Sequence, residues 1–370
     1  MQMLLPSLAA ALVLTAAIAL PSRAALSGEM PRYRVQDLGV LFGDQDSLAG
    51  GINGEGWVVG RSFPEGTLGS RSGQAFLYRD GRVQGLDTLG GDYSRARDVN
   101  GRGEVIGDAY DAAGRLRPFL WRDGRMQDLA TALGAATGQA WGLNAAGQVA
   151  GEADDRAFFY DGTSSRFIEV GTGSSFAAGI NDHGVAVGGA QTSRGFMSFV
   201  YQDGRATLLE NPGELGDYFA RDINNAGQVL VTRAQDFDVS GASYLYDSRD
   251  GSYERIGFFN GEASDLNNRG WVVGYTEYFN SEIGDLEWLP TLYRDGEDYK
   301  LQELLRPQDA RRWQLDLALD INDDGTIVGG GWIDGRYHAY VATLVPEPAA
   351  GPMLLAGLAV VGAAARRKRA

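Results

Sequence analysis

What most limits the fold of this chain is a short phrase that comes round seven times. It runs apolar residue, Asn, two variable positions, Gly, then a β-branched run that usually closes on another Gly. The cleanest copy is DINDDGTIVGG, from Asp320 to Gly330. The Asn copies are Asn53, Asn100, Asn144, Asn181, Asn224, Asn267 and Asn322, each followed three residues later by Gly56, Gly103, Gly147, Gly184, Gly227, Gly270 or Gly325. Spacings of 37 to 55 residues, around a period of about 45, mark a repeat architecture. Asn bonds its own backbone in turns and Gly supplies a positive φ, so the phrase predicts a hairpin. Runs such as Trp57-Val58-Val59 and Thr326-Ile327-Val328 read as strands buried on both faces.

Between these hairpins lies an aromatic phrase, as in Ala75-Phe76-Leu77-Tyr78 and Pro118-Phe119-Leu120-Trp121, often followed by Asp-Gly. Asp80-Gly81, Asp123-Gly124, Asp161-Gly162, Asp203-Gly204, Asp250-Gly251 and Asp295-Gly296 are strong hairpin signals, and a further strand follows each. Each unit is thus four short antiparallel strands, which predicts an all-β, seven-bladed β-propeller of four-stranded blades. The ends of the chain supply a check. The stretch from Tyr33 to Gly43 resembles a fourth strand with nothing before it, and the seventh unit stops after its third strand, at His338 to Leu344. A ring whose last blade borrows the N-terminal strand accounts for both facts and leaves no open edge.

With 53 Gly, 11 Pro and no sustained helical periodicity between the two ends, composition favours strands and turns. There is no Cys, which excludes disulfides and thiolate metal sites. Residues 1–24 read as a helical signal peptide: an apolar run from Met3 to Leu20, then Pro21-Ser22-Arg23-Ala24 with small residues at the cleavage positions. Residues 25–344 form the propeller, and residues 345–370 a separate tail.

That tail begins Val345-Pro346-Glu347-Pro348, continues as an apolar run from Ala349 to Ala365 and ends in Arg366-Arg367-Lys368-Arg369. Seventeen apolar positions make a helix of about 25 Å, close to a hydrocarbon core, and the basic cluster stays cytoplasmic. This order resembles the PEP-CTERM sorting signal of Gram-negative bacteria. The resemblance implies an inner-membrane-anchored precursor, cleavage by an exosortase, and delivery to the cell surface or the extracellular polymer matrix. Formal net charge is −15, and loss of Arg23 with the leader and of Glu347 with the four basic residues of the tail leaves a body of roughly −19. Such a body repels phosphate backbones, so no nucleic-acid partner is expected.

The paired phrases INxxGxVVG and AFLYRDG, with a following LxxLG, are similar to the HAF repeat of extracellular bacterial proteins. The similarity spans about Tyr33 to Leu344, and it implies secretion without an agreed reaction. Units five and six depart most: Thr232 follows Leu230-Val231 where Gly is expected, and Pro290-Thr291 replaces Ala-Phe.

Chemistry is sparse. Asp320-x-Asn322-x-Asp324-Gly325 opens like an EF-hand loop, but its twelfth position is Gly331, so it reads as turn chemistry and no metal is expected. Neither His183 nor His338 has metal-ligand spacing, and no nucleophile elbow or phosphate loop stands in a strand-to-helix context. No catalytic residue and no cofactor is therefore expected. Asp98, Asp222, Asp265 and Asp320 all precede a repeat Asn by two residues, which points to a shared structural role, bonding turn N–H groups, over a glycosidase pair. The longest interval inserts Tyr278 to Trp288 and the segment LQELLRPQDARRWQL from Leu301, expected as a short helix ended near Pro307. Tyr278, Phe279, Glu287 and Trp288 form the candidate ligand surface, since repeat proteins tend to bind at such departures. The expected function is a non-enzymatic structural or adhesive protein of the cell surface or biofilm matrix. A carbohydrate-active propeller, either lectin or polysaccharide hydrolase or lyase, is the alternative, with exopolysaccharide as partner in both.

Overall fold

The computed structural model describes residues 30–41, 43, 45–213, 216–233, 242–257, 261–280 and 285–345; side chains at 277–280, 285 and 286 fall outside that description. The chain divides into two units, Met1–Pro31 and Arg32–Ala370. Only Met30 and Pro31 of the first are described, so the expected signal peptide lies outside the described residues. The tail beyond Val345 does too. Among the described residues no helix is long and apolar enough to cross a membrane.

The described part of the second unit forms seven four-stranded antiparallel sheets, the blades of a β-propeller. Blade two is representative, with strands Gly90–Val99, Val105–Asp111, Leu116–Arg122 and Arg125–Asp128 in that order from the axis outwards. Blade seven takes Trp313–Ile321, Ile327–Ile333 and Arg336–Leu344 from the end of the unit and Tyr33–Asp37 from its start. Tyr33 pairs with Leu344, Val35 with Ala342 and Asp37 with Tyr340, so the borrowed strand closes the ring as the two incomplete ends require. Tyr33 and Val35 sit in one core cluster with Trp313, Leu315 and Tyr340.

All seven repeat glycines adopt φ between 74° and 81°, the left-handed region the hairpin needs. Each donates its N–H to the carbonyl of the Asn three residues before it. The Asn side chain does more than shape its own turn. Its Oδ1 accepts two backbone N–H groups of that turn, while its Nδ2 donates to the carbonyl of the next blade's Asn. The chain of donors runs Asn53, Asn100, Asn144, Asn181, Asn224, Asn267, Asn322 and back to Asn53, at 3.0–3.1 Å throughout. Seven buried amides thereby form a closed circle about the axis. A hydrogen bond shielded from water is costly to break, because the buried group left behind finds no replacement.

Packing within a blade follows a second rule. An Ala on the innermost strand faces a Gly on the second, which faces an aromatic residue on the third: Ala49, Gly60 and Phe76; Ala96, Gly107 and Phe119; Ala140, Gly151 and Phe158. A Cβ on Gly60 would lie 2.9 Å from Cζ of Phe76 and one on Gly151 2.5 Å from Cε1 of Phe158, so the ring lies across the gap the glycine leaves. In blade five the glycine position is held by Val231, which pairs with Ala220 and Tyr244. The expectation that Thr232 occupies it was one residue out.

The segment after Leu301 also differs from expectation. A 3₁₀ turn covers Leu301–Leu304, and Pro307 begins the single α-turn Pro307–Ala310 instead of ending a helix. Proline suits the first helical position, where its missing N–H has no intrahelical acceptor to lose.

Candidate functional site

Two places on the ring concentrate chemistry, the central channel and a groove between blades six and seven. In every blade the innermost strand carries a β-bulge just before the repeat Asn, between Ala96 and Asp98 in blade two for example. Bulges re-aim side chains. Arg97, Trp141, Ala178, Arg221 and Leu319, all bulged residues, line a channel cavity of about 510 Å³.

Asp98, Asp222, Asp265 and Asp320 stand on the same wall. The Asp98 carboxylate accepts the N–H of Leu143 at 2.8 Å, Asp265 that of Ile321 at 3.0 Å and Asp320 that of Ile52 at 3.0 Å. Each donor precedes the next blade's Asn, so these acids join blades, and Asp98 also accepts the N–H of Val99 in its own hairpin at 2.7 Å. Where the position is Gly, no carboxylate fits: a Cβ on Gly51 would lie 2.4 Å from the Arg97 carbonyl and one on Gly179 2.7 Å from Cα of Asp222.

Burial pushes the Asp98 carboxyl up to about 6 and that of Asp320 up to about 7. Asp222 and Asp265 are raised by burial and by their negative neighbours, Asp265 and Asp320 respectively. An acid raised in the folded state keeps a proton there that the unfolded chain has lost above its ordinary value of 3.8, so stability falls as pH climbs through the folded value. His338 acts in the same direction. Its hydrogen bond to Asp37, at 2.9 Å, raises the imidazole above 6.5, and that contribution is present at low pH and lost as pH rises through the raised value. Unfolding free energy is therefore expected to drop by on the order of 3 kcal/mol between about pH 5 and about pH 8. Urea titrations at the two pH values check this, and Asp265→Asn should flatten the slope. A protein equally stable or more stable at the higher pH contradicts it.

The groove holds part of the expected ligand surface. Trp288 is 49% exposed and stacks on Tyr275 at 5.1 Å and 20° between planes. Beside it opens a cavity of about 500 Å³ lined also by Glu287, Lys300, Gln302, Glu303, Gln314 and Asp316. Asp316, raised by burial, accepts the Tyr337 hydroxyl at 3.1 Å. Tyr278 pairs with Glu287 in the hairpin ladder and Phe279 with Leu286; the Tyr278 and Phe279 side chains lie outside the described residues. Gln314 also borders a second groove, beside Trp332, which is 46% exposed. Trp332 escaped notice in the sequence because it follows a glycine run, Gly329 to Gly331, inside an otherwise buried strand. His183, by contrast, donates its backbone N–H to the Asn181 side chain within the turn. Among the described residues no cluster of three or more His, Asp or Glu side chains is arranged to hold a metal.

A profile for the PEP-CTERM protein-sorting motif matches residues 344–369, a substrate signal for exosortase-type processing. No curated protein matches the chain by sequence. Among solved structures, TolB from Acinetobacter baumannii aligns over 78% of this chain and 80% of its own at 14% identity, with a TM-score of 0.43. The Aleuria aurantia lectin aligns over 67% and 94% at 15% identity, TM-score 0.33. A Xanthomonas campestris gluconolactonase aligns over 56% and 86% at 12%, TM-score 0.35. Likenesses this distant carry no activity or ligand across to this chain.

Proposed function

We propose that this chain is a non-enzymatic adhesive scaffold, delivered to the cell surface or extracellular polysaccharide matrix and gripping neutral glycan at the Trp288 groove. The observation that carries the proposal is the sorting motif at 344–369, which starts at the last residue of the strand Arg336–Leu344. A rigid ring is thus followed directly by an export signal. The similarity of its units to HAF repeats supports an extracellular address. An exposed indole backed by a stacked tyrosine, with amides and carboxylates at the rim, suits the apolar face and equatorial hydroxyls of a sugar ring. The channel carboxylates favour no turnover, since each is taken up by a neighbouring blade's N–H.

A glycan array and the source cell's own exopolysaccharide, with a reducing-end assay run in parallel, test this. Saturable binding without new reducing ends is expected, and Trp288→Ala should weaken it by about 10-fold or more. New reducing ends would replace the scaffold with an enzyme, and unaltered binding by the variant would remove the groove from the account. Mature chain found in the cytoplasm with both ends intact would refute the address.

A further inference from the structure

We infer that the mouth of the central channel, apart from the Trp288 groove, binds a small sugar carrying one carboxylate. The cavity there is walled by Arg61, Arg95, Arg97 and Arg221, with Trp141 between them, contributed by blades one, two, three and five. Among the described residues they have few direct carboxylate partners. Arg95 and Arg97 share the buried Asp108, at 3.2 and 2.7 Å. Arg61, only 6% exposed, bonds neutral carbonyls of Leu68 and Ser70 at 2.7 and 2.6 Å, and the carboxylate that acts on its charge is again Asp108. Three guanidiniums thus draw on one carboxylate in a body whose charge is otherwise strongly negative. Arg221 has its own partner in Glu262.

Hydrogen bonding gives an independent sign. Nε of Arg61, Nε of Arg95, Nε of Arg221 and Nε1 of Trp141 are buried without an acceptor among the described residues, and all four residues line this one cavity. A buried donor left unsatisfied is expensive, and three guanidinium nitrogens and one neutral indole nitrogen without acceptors, all on residues that border one cavity, point to an acceptor-rich partner there. Carboxylate oxygens meet guanidinium donors with short, strong, directional bonds. The same cavity is lined by Asp98, Asp222, Asp265 and Asp320, whose carboxyls burial raises, so that this wall offers hydrogen-bond partners to hydroxyls and resists a further ionised group. Those acids select against phosphate-rich ligands and for a singly charged, hydroxylated one. A volume of about 510 Å³ accommodates one or two sugar rings.

Calorimetric titration of the full chain with D-glucuronate and with digalacturonate, against glucose and inorganic phosphate, tests this. Saturable binding of a uronate is expected, with glucose and phosphate each weaker by about 10-fold or more. Trp141→Phe removes one donor and keeps the ring, and Arg221→Gln removes another. Each should weaken uronate binding by about 5- to 10-fold with the melting curve of Trp141→Phe unchanged. Gln314→Ala, at a groove residue that is not part of the channel wall, should leave it unaltered, which keeps this site separable from the groove. Absence of uronate binding, phosphate binding as tight as uronate, or full affinity in both channel variants would overturn the inference.

Discussion

Asn144→Ala is expected to lower the free energy of unfolding by about 3 kcal/mol, far more than the removal of a half-exposed polar side chain. Asn144 is 3% exposed. Its Oδ1 accepts the N–H groups of Ala146 at 3.1 Å and Gln148 at 3.0 Å, and its Nδ2 reaches the Asn181 carbonyl at 3.0 Å and the Gln148 side chain at 2.8 Å. Alanine leaves two N–H groups of a tight turn without their acceptor and breaks the circle of amides. Asn144→Asp separates the two roles, because the carboxylate still accepts from the turn but sets an oxygen against the Asn181 carbonyl. It should therefore be no milder than alanine at neutral pH. Asn211→Ala, a half-exposed asparagine whose Nδ2 donates to the Gly216 carbonyl at 3.3 Å, is the control and should change stability by less than about 0.5 kcal/mol. Urea unfolding of the three variants checks the ordering; an Asn144 variant no worse than the control would reduce the circle to a by-product of the turns.

A second large effect is expected from a chain that starts at Gly39 and so lacks the closing strand. Removal takes Tyr33, Val35 and Leu38 out of buried positions and strips the strand Arg336–Leu344 of its outer partner. Three such side chains contribute roughly 5 kcal/mol together. The exposed edge then offers its N–H and C=O groups to another molecule. Light scattering should find dimers or aggregates larger than the full chain forms, with a melting temperature lower by many degrees. A monomer of unchanged melting temperature would mean that the seventh blade stands with three strands.

Much of this fold could be read before any coordinates, because its rule is written in small residues. A glycine three places after each Asn and an Asp-Gly after most third strands leave the backbone few options, and Asp80, Asp123, Asp203 and Asp295 do take positive φ with their glycines. The other two Asp-Gly pairs sit in longer turns, between Tyr160 and Ser165 and between Asp247 and Ser252. What sequence reasoning missed depends on neighbours brought close only by closure. Asn was understood as bonding its own turn, yet its amide nitrogen points to the next blade. The sign was present, in that Asn never varies among the seven copies while the two residues after it do. Likewise the four aspartates stand at equivalent positions, but beside a local N–H such as that of Val99 they take an N–H about one repeat away.

Arg97 and Arg221 of the arginine cluster were missed for a different reason. Strict alternation along a strand assigns each residue a face, and the bulge breaks that assignment at one position per blade. That position holds Gly50, Arg97, Trp141, Ala178, Arg221, Ser264 and Leu319. Variation on this scale within an otherwise repetitive strand was the available signal. The groove was half legible: the insertion containing Trp288 stood out as a departure from the repeat, whereas Trp332 and Gln314 belong to regular strands and are brought beside it by the ring.

The ring itself is tested most directly by a disulfide. Arg34 and Thr343 are direct partners across the closing pair of strands, and the chain contains no cysteine of its own. Paired strand positions fall within the Cα separation a disulfide spans. In the Arg34→Cys, Thr343→Cys double variant, mild oxidation should convert essentially all molecules to an internally crosslinked monomer, seen as a loss of both thiols and a shift on a non-reducing gel. Thiols that stay free, or crosslinks only between molecules, would mean that the two ends do not meet and that the seven blades do not close.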